Sequence, residues 1–132
     1  MHTPKHIVAV EDNDADILLL RDALDRSGVK YSVTVFEDGE SARAYLEADG
    51  LPDLLLMDIN LPRVDGEALL EVYRTQPRLR GVPVLVWSSG LSTRQDEILA
   101  GYRNVRFVPK PGSLAGFEEL AGEIGTILAE GG

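Results

Sequence analysis

The feature that most constrains this chain is a rhythm: a short apolar run followed by an amphipathic stretch, five times in succession. His6–Val10, Tyr31–Phe36, Leu54–Met57, Val84–Trp87 and Val105–Val108 read as strands. Leu54–Met57 is apolar throughout, between Pro52 and Asp58, which is the pattern of a strand buried on both faces. Asp14 is expected to cap the first helix, which carries Ile17, Leu20 and Leu24 on one face, runs to Ser27 and stops at Gly28. Asp38 opens a second helix to about Ala48, Gly66–Thr75 forms the third, and Ser92 or Thr93 starts the fourth. The last runs from about Ser113 to Glu130, with Leu114, Phe117, Leu120, Ala121, Ile124 and Leu128 along its inner stripe. Gly116, Gly122 and Gly125 lower its helix propensity.

Five strand–helix units predict an α/β fold: a five-stranded parallel sheet covered on both faces. Right-handed crossovers restrict the topology, and the flavodoxin-like strand order 2-1-3-4-5 is expected. The fifth strand then lies at an edge, where Pro109 is tolerated although it has no N–H to donate. Residues 1–132 are expected to form a single domain, long enough for a hydrophobic core of its own.

Composition removes several functions. With 13 basic and 22 acidic residues the net charge is −9, so the chain lacks the basic footprint of a nucleic-acid or anionic-membrane binder. Cysteine is absent, which excludes disulfides, thiolate metal sites and a thiol nucleophile. The opening Met-His-Thr-Pro-Lys has no apolar signal core and no run approaches membrane length, so a cytoplasmic location is expected.

In open α/β sheets, sites gather beyond the carboxyl ends of the strands, at the switch point in strand order. Glu11, Asp12 and Asn13 follow the first strand, Asp58 ends the third, Ser88 ends the fourth and Lys110 follows the fifth. Singly, each has a plain explanation. Acids enrich a helix N-terminus, Ser88 could be a loop serine, and Lys110 could be a solvated lysine between two prolines. Asp58 is harder to dismiss, because a carboxylate at the end of a buried strand is costly unless it is paired. Jointly, the residues fall at one crevice. Asp38 follows the second strand but is assigned to a helix cap.

Three converging carboxylates, Glu11, Asp12 and Asp58, would repel one another unless a cation offset them. Oxygen donors without Cys or His suit a hard ion, and Mg²⁺ takes a few carboxylates plus water. Mg²⁺ beside phosphate oxygens makes phosphoryl transfer the natural chemistry, with one carboxylate as nucleophile and a lysine and a hydroxyl to bind the transferred oxygens. No Gly-rich nucleotide loop is present, so the phosphoryl group must arrive ready-made.

These residues resemble a known family. Val-Glu-Asp-Asn (10–13), Pro-Asp-Leu-Leu-Leu-Met-Asp-Ile-Asn-Leu-Pro (52–62), Asp-Gly (65–66), Pro-Val-Leu-Val-Trp-Ser-Ser (83–89) and Lys-Pro (110–111) together are similar to the receiver domain of two-component response regulators. The resemblance implies that Asp58 is the phosphoacceptor. It also implies that Glu11, Asp12 and Asp58, with the backbone carbonyl of Asn60, bind Mg²⁺, and that Lys110 contacts the phosphoryl group. It further implies a cis Lys110–Pro111 bond and a switch in which Ser88 moves toward the phosphate while Phe107 swings inward. Four positions depart from the commoner family pattern. Glu11 stands where Asp is usual and is expected to reach the metal through water. Ser88 replaces Thr, Phe107 has no hydroxyl, and Gly90 removes a side chain that in relatives influences hydrolysis. The Glu-Asp-Asn-Asp-Ala-Asp and Asp-Ile-Asn-Leu-Pro segments most resemble small single-domain regulators that partner phytochrome-type sensor kinases.

By this resemblance the chain is a signalling phosphoacceptor rather than an enzyme, charged by a sensor histidine kinase. With no residues left for an output domain, its output is expected to pass through protein contacts, such as a histidine phosphotransfer protein. The other expected route is a homodimer through the fourth helix, fifth strand and fifth helix. Tyr102, Arg103 and Arg106 lie there, and Gly116, Gly122 and Gly125 would let a partner helix approach. Two other functions use similar parts. A haloacid-dehalogenase-like phosphatase favours a second Asp two residues past its nucleophile, where this chain has Asn60. A flavodoxin-like FMN carrier needs a Ser/Thr/Gly-rich phosphate loop where this chain has Glu11-Asp12-Asn13-Asp14.

Overall fold

Alternation along a single strand sets the architecture. In β1 (Lys5–Val10), Ile7 and Ala9 point to one side of the sheet and Val8 and Val10 to the other, and all four are buried. A strand apolar on both sides must be sandwiched between two helical layers. The computed structural model describes residues 4–60 and 66–130. The motif positions Leu61, Pro62 and Asp65, like Met1, His2 and Thr3, lie outside the described residues.

The remaining strands are β2 (Tyr31–Phe36), β3 (Leu54–Met57), β4 (Val84–Ser88) and β5 (Val105–Pro109). All pair in parallel, in the order β2-β1-β3-β4-β5 expected from the sequence. Val10 stands level with both Phe36 and Met57, and Ser88 with Pro109, so the strands end at a common rim. The last two strands each run one residue further than the apolar pattern indicates.

The helices are α1 (Asp14–Ser27), α2 (Gly39–Glu47), α3 (Gly66–Thr75), α4 (Thr93–Ala100) and α5 (Leu114–Glu130), with a 3₁₀ turn at Pro77–Leu79 that the periodicity does not signal. On the Ile7 side, Ile17, Leu20 and Leu24 of α1 meet Trp87 and the α5 residues Phe117, Leu120, Ala121, Ile124 and Leu128. On the Val8 side lie Ala42 and Leu46 of α2, Leu69 and Leu70 of α3, and Leu99, the buried residue of α4.

Three expectations need correction. The cap of α1 is Asn13, whose extended backbone precedes the first turn and whose side chain accepts the Asp16 N–H at 3.1 Å. Asp14 is instead the first helical residue, where an acid favours the positive end of the helix dipole. Leu114 is 56% exposed, because it is the first residue of α5 and the packed stripe begins one turn later at Phe117. The α5 glycines mostly serve this chain rather than a partner. A Cβ at Gly116 would lie 2.9 Å from Pro111 Cβ, and one at Gly125 would lie 3.0 Å from Val29 Cγ2, whereas Gly122 faces open space.

Two other glycines meet firm backbone demands. Gly28 ends α1 at φ 82°, in the left-handed region. Gly66 begins α3 with its N–H bonded to Ile59 O at 2.9 Å, and a Cβ there would fall 2.5 Å from Ile59 Cα. That close approach ties α3 to the residue after Asp58. No helix among the described residues is long and apolar enough to cross a membrane.

Candidate functional site

The common rim gathers the predicted residues. Glu11 follows β1, with its N–H still bonded to Phe36 O (2.9 Å). Asp58 follows β3, its N–H bonded to Val10 O (3.1 Å), and Lys110 follows β5, its N–H bonded to Ser88 O (2.9 Å). The ladder thus fixes these backbones, and the side chains converge. Glu11 and Ser88 are each 1% exposed, and Asp58 is largely buried.

Lys110 is the hub. Its Nζ donates to Glu11 Oε1 and lies 3.1 Å from Asp16 Oδ2 and 3.2 Å from Asp58 Oδ2. It also stands 5.6 Å from the centre of the Trp87 ring. The Lys110–Pro111 bond, expected to be cis, is trans, the isomer favoured by about 0.5–1 kcal/mol in X–Pro bonds. Burial pushes the Glu11 carboxyl up to about 7, although its hydrogen bond and attraction to Lys110 pull the other way. Burial also opposes the charge on Lys110, but its bonds to Glu11, Asp16 and Asp58 outweigh this and hold the ammonium above its ordinary value. The second Glu11 oxygen, Oε2, is buried without a hydrogen-bond partner among the described residues.

Asp58 has both oxygens engaged. Oδ2 faces Lys110, and Oδ1 accepts the Asn60 N–H at 2.9 Å. The Asn60 side chain lies between two neutral partners, its Nδ2 donating to Ser88 Oγ over a long 3.4 Å and its Oδ1 accepting from Gln95 Nε2 at 2.9 Å. Ser88 Oγ donates to Gly90 O at 3.0 Å. Phe107 is partly buried against the core on the α4 side.

Asp12 is exposed at the rim and joins none of these contacts. Among the described residues no three carboxylates or imidazoles form a ready cation cage. Lys110 supplies the positive charge around which Glu11 and Asp58 close, and the acid that joins them there is Asp16. Neither Asp16 nor Gln95 is singled out by the sequence reading. Gln95 carried a usable signal, since Ser92-Thr93-Arg94-Gln95 matches the capping-box pattern at a helix start. Asp16 lies one helical turn past Asp12, with only the general acidity of a first turn to mark it.

The model of the response regulator receiver domain matches residues 7–120, most of the chain and every element that bears the site. This chain belongs to the response-regulator receiver family. The receiver is 34% identical over 105 residues to response regulator Rcp1 of Synechocystis sp., covering 75% of this chain and 70% of that one. It is 31% identical over 116 residues to the polar-differentiation response regulator DivK of Brucella anthropi, covering 88% and 92%. Among solved structures it is similar to the phosphorylated cyanobacterial phytochrome response regulator RcpA, with a TM-score of 0.84, 31% identity and coverage of 98% and 97%. The Mn²⁺-bound form of Rcp1 superposes with a TM-score of 0.79, 28% identity and coverage of 92% and 91%. A receiver domain of a Pseudomonas aeruginosa sensor histidine kinase, with magnesium coordinated in its active-site cleft, gives 0.72 at 26% identity, covering 94% and 99%. The receiver is therefore a signalling module of two-component systems, and its fold is that of the family.

Proposed function

We propose that this receiver takes a phosphoryl group from a sensor histidine kinase onto the Asp58 carboxylate. The observation that carries the reading is the Lys110 ammonium 3.2 Å from Asp58 Oδ2 at the end of a fully buried strand. The P–N bond of a phosphohistidine breaks as a P–O bond to Asp58 forms, and the imidazole leaves with the electron pair. Lys110, already aimed at the nucleophile, neutralises the incoming phosphoryl oxygens. Ser88 then turns its hydroxyl toward those oxygens and Phe107 follows inward, which is a shift between two packings. Asn60, an amide where a dehalogenase-like phosphatase favours an acid, disfavours that enzymatic alternative. The receiver thus acts as a phosphoacceptor that promotes only its own phosphorylation and dephosphorylation.

A divalent ion fits the donor set. The buried Glu11 Oε2 has no hydrogen-bond partner among the described residues, and every candidate donor is a hard oxygen. Glu11, Asp12, Asp58 and the Asn60 carbonyl would hold Mg²⁺, which when bound supplies charge neutralisation between carboxylate and phosphate. The metals in the related Rcp1 and Pseudomonas structures support a divalent ion. The likeness to RcpA and Rcp1 supports a phytochrome-type kinase as phosphodonor. Output passes through protein contacts, either to a histidine phosphotransfer protein or through a homodimer formed by α4, β5 and α5. Sedimentation with and without beryllofluoride tests the dimer, and a monomer in both states at high concentration removes it.

Incubation with Mg²⁺ and acetyl phosphate, followed by intact mass, tests the acceptor. One base-labile phosphoryl adduct is expected on the wild type and none on Asp58→Asn. Equal labelling of the two would refute the assignment, and labelling in excess chelator would refute the metal.

A further inference from the structure

The side-chain amide of Gln95 is oriented by the helix that carries it. Its Oε1 accepts the Ser92 backbone N–H at 3.0 Å, while Ser92 Oγ accepts the Gln95 N–H at 3.1 Å, a reciprocal capping box. A backbone N–H can only donate, so the end of the amide facing Ser92 is its oxygen and the other end is its NH₂. That NH₂ lies 2.9 Å from Asn60. Asn60 must therefore present its own oxygen to Gln95, which turns its NH₂ to Ser88 Oγ, 3.4 Å away. Because Asn60 turns a donor and not its oxygen to Ser88, the Ser88 proton goes to Gly90 O at 3.0 Å, while Oγ also accepts the Gly90 N–H at 3.4 Å. One helix cap thus sets the amide two residues past Asp58 and places a donor, not an acceptor, against Ser88 Oγ.

We propose that Gln95 is a positioning residue for phosphoryl transfer: by fixing Asn60, and through it Ser88, it holds the resting arrangement, slows phosphorylation of Asp58 and couples the start of α4 to the site. The inference rests on the phosphoacceptor reading. For Ser88 to donate to phosphoryl oxygens, its proton must leave Gly90 O and its Oγ must move against the 3.4 Å bond that Asn60 makes to it. That movement leaves the Asn60 amide held by Gln95, which is bonded to its oxygen at 2.9 Å. Residues 60 and 88 accordingly change partners together, and Gln95 ties that change to the start of α4.

Two substitutions separate this tether from the cap. Gln95→Glu keeps an oxygen to cap Ser92 but has no hydrogen to give Asn60, since Glu serves in the same capping box. Gln95→Met loses both bonds and adds no charge. Both variants and the wild type are labelled with acetyl phosphate at saturating Mg²⁺, and beryllofluoride affinity, Mg²⁺ affinity and melting temperature are measured alongside. Both variants are expected to label about two- to tenfold faster at saturating donor, the size of one net hydrogen bond. Beryllofluoride affinity should rise by a similar factor, with donor KM and Mg²⁺ affinity unchanged. Melting should fall for Gln95→Met but not for Gln95→Glu, so a purely structural role would move the melt of one variant and the labelling of neither. Labelling equal to or slower than wild type in both variants overturns the proposal, and acceleration in Gln95→Glu alone marks a charge effect and overturns it too. A wild type that takes no label overturns the phosphoacceptor reading and this one with it, whereas a labelled wild type with unchanged variants overturns this one alone.

Discussion

The two halves of the site are built differently. On the α1 and α5 side, Glu11, Asp16 and Lys110 form a charged cluster beside Trp87, whose ring meets Phe117 edge-on at 6.4 Å in a close-packed apolar layer. On the α4 side, Asn60, Ser88 and Gln95 are joined by neutral hydrogen bonds, and α4 itself buries a single residue, Leu99. Asp58 stands between, with one oxygen toward each half. Charges that must stay aimed at one point are backed by dense packing, which resists displacement. The groups proposed to exchange partners are held by bonds that each contribute little net energy. On the proposed function, the division would let one half anchor the chemistry while the other responds to it.

The largest test of this contrast is Phe117→Ala, which removes the ring packed against Trp87. It should cost about 3–5 kcal/mol in urea unfolding. If it cost no more than the loss of a helix cap, the α1 and α5 side would not be the firm half.

Next comes Lys110→Ala in metal-free protein. Removing the cation leaves Glu11, Asp16 and Asp58 uncompensated, at about 1–3 kcal/mol near pH 8. Folded Glu11 has a pKa near 7 against an ordinary 4.5, so folding favours its protonated form. That contribution is fully present below 4.5 and is lost as pH rises through about 7. Lys110 lowers the Glu11 value, so the variant should take up the proton more readily and lose less at pH 6 than at pH 8. Urea midpoints across pH 5 to 9 check the slope, and a loss independent of pH would detach Glu11 from the cluster.

Ser92→Ala should cost about 1 kcal/mol, the usual worth of an N-cap, and should mainly loosen α4. A loss as large as that of Phe117→Ala would show that α4 is held as firmly as α5. The smallest effect belongs to Arg106→Ala. Its bridge to Glu123 (2.6 Å) joins β5 to α5 at an exposed position, so about 0.5 kcal/mol or less is expected. A larger loss would extend the firm half to the outer edge of the sheet.

Much of this was legible before any coordinates. Apolar runs such as Leu54–Met57 define strands because a parallel sheet buries both faces, and strand ends then locate Glu11, Asp58, Ser88 and Lys110. Features set by local geometry were harder to read. Asn13 and Asp14 are both good caps, and only the backbone decides between them. The exposure of Leu114 depends on where α5 meets the sheet, which helical periodicity does not encode. Asp16 faces Lys110 across a separation of 94 residues, a pairing no local pattern carries. The glycines of α5 looked like a partner's landing strip, yet Pro111 and Val29 occupy the space beside Gly116 and Gly125.

The hydrogen bonds at the rim carry a consequence for solvent exchange. The Asp58 amide is bonded to Val10, the Glu11 amide to Phe36 and the Lys110 amide to Ser88, each continuing the ladder of a neighbouring strand. Asp58 extends β3, which is flanked by β1 and β4, so its amide belongs to the interior of the sheet. Amides in such central ladders exchange deuterium chiefly when the whole domain opens, while helix ends and edges open locally and often. The Asp58 amide should therefore keep its proton among the longest in the molecule, hours after the first turn of α4 has exchanged. The proposed phosphoacceptor would then sit in the stillest backbone, linked to the more readily opened α4 through Asn60 and Gln95.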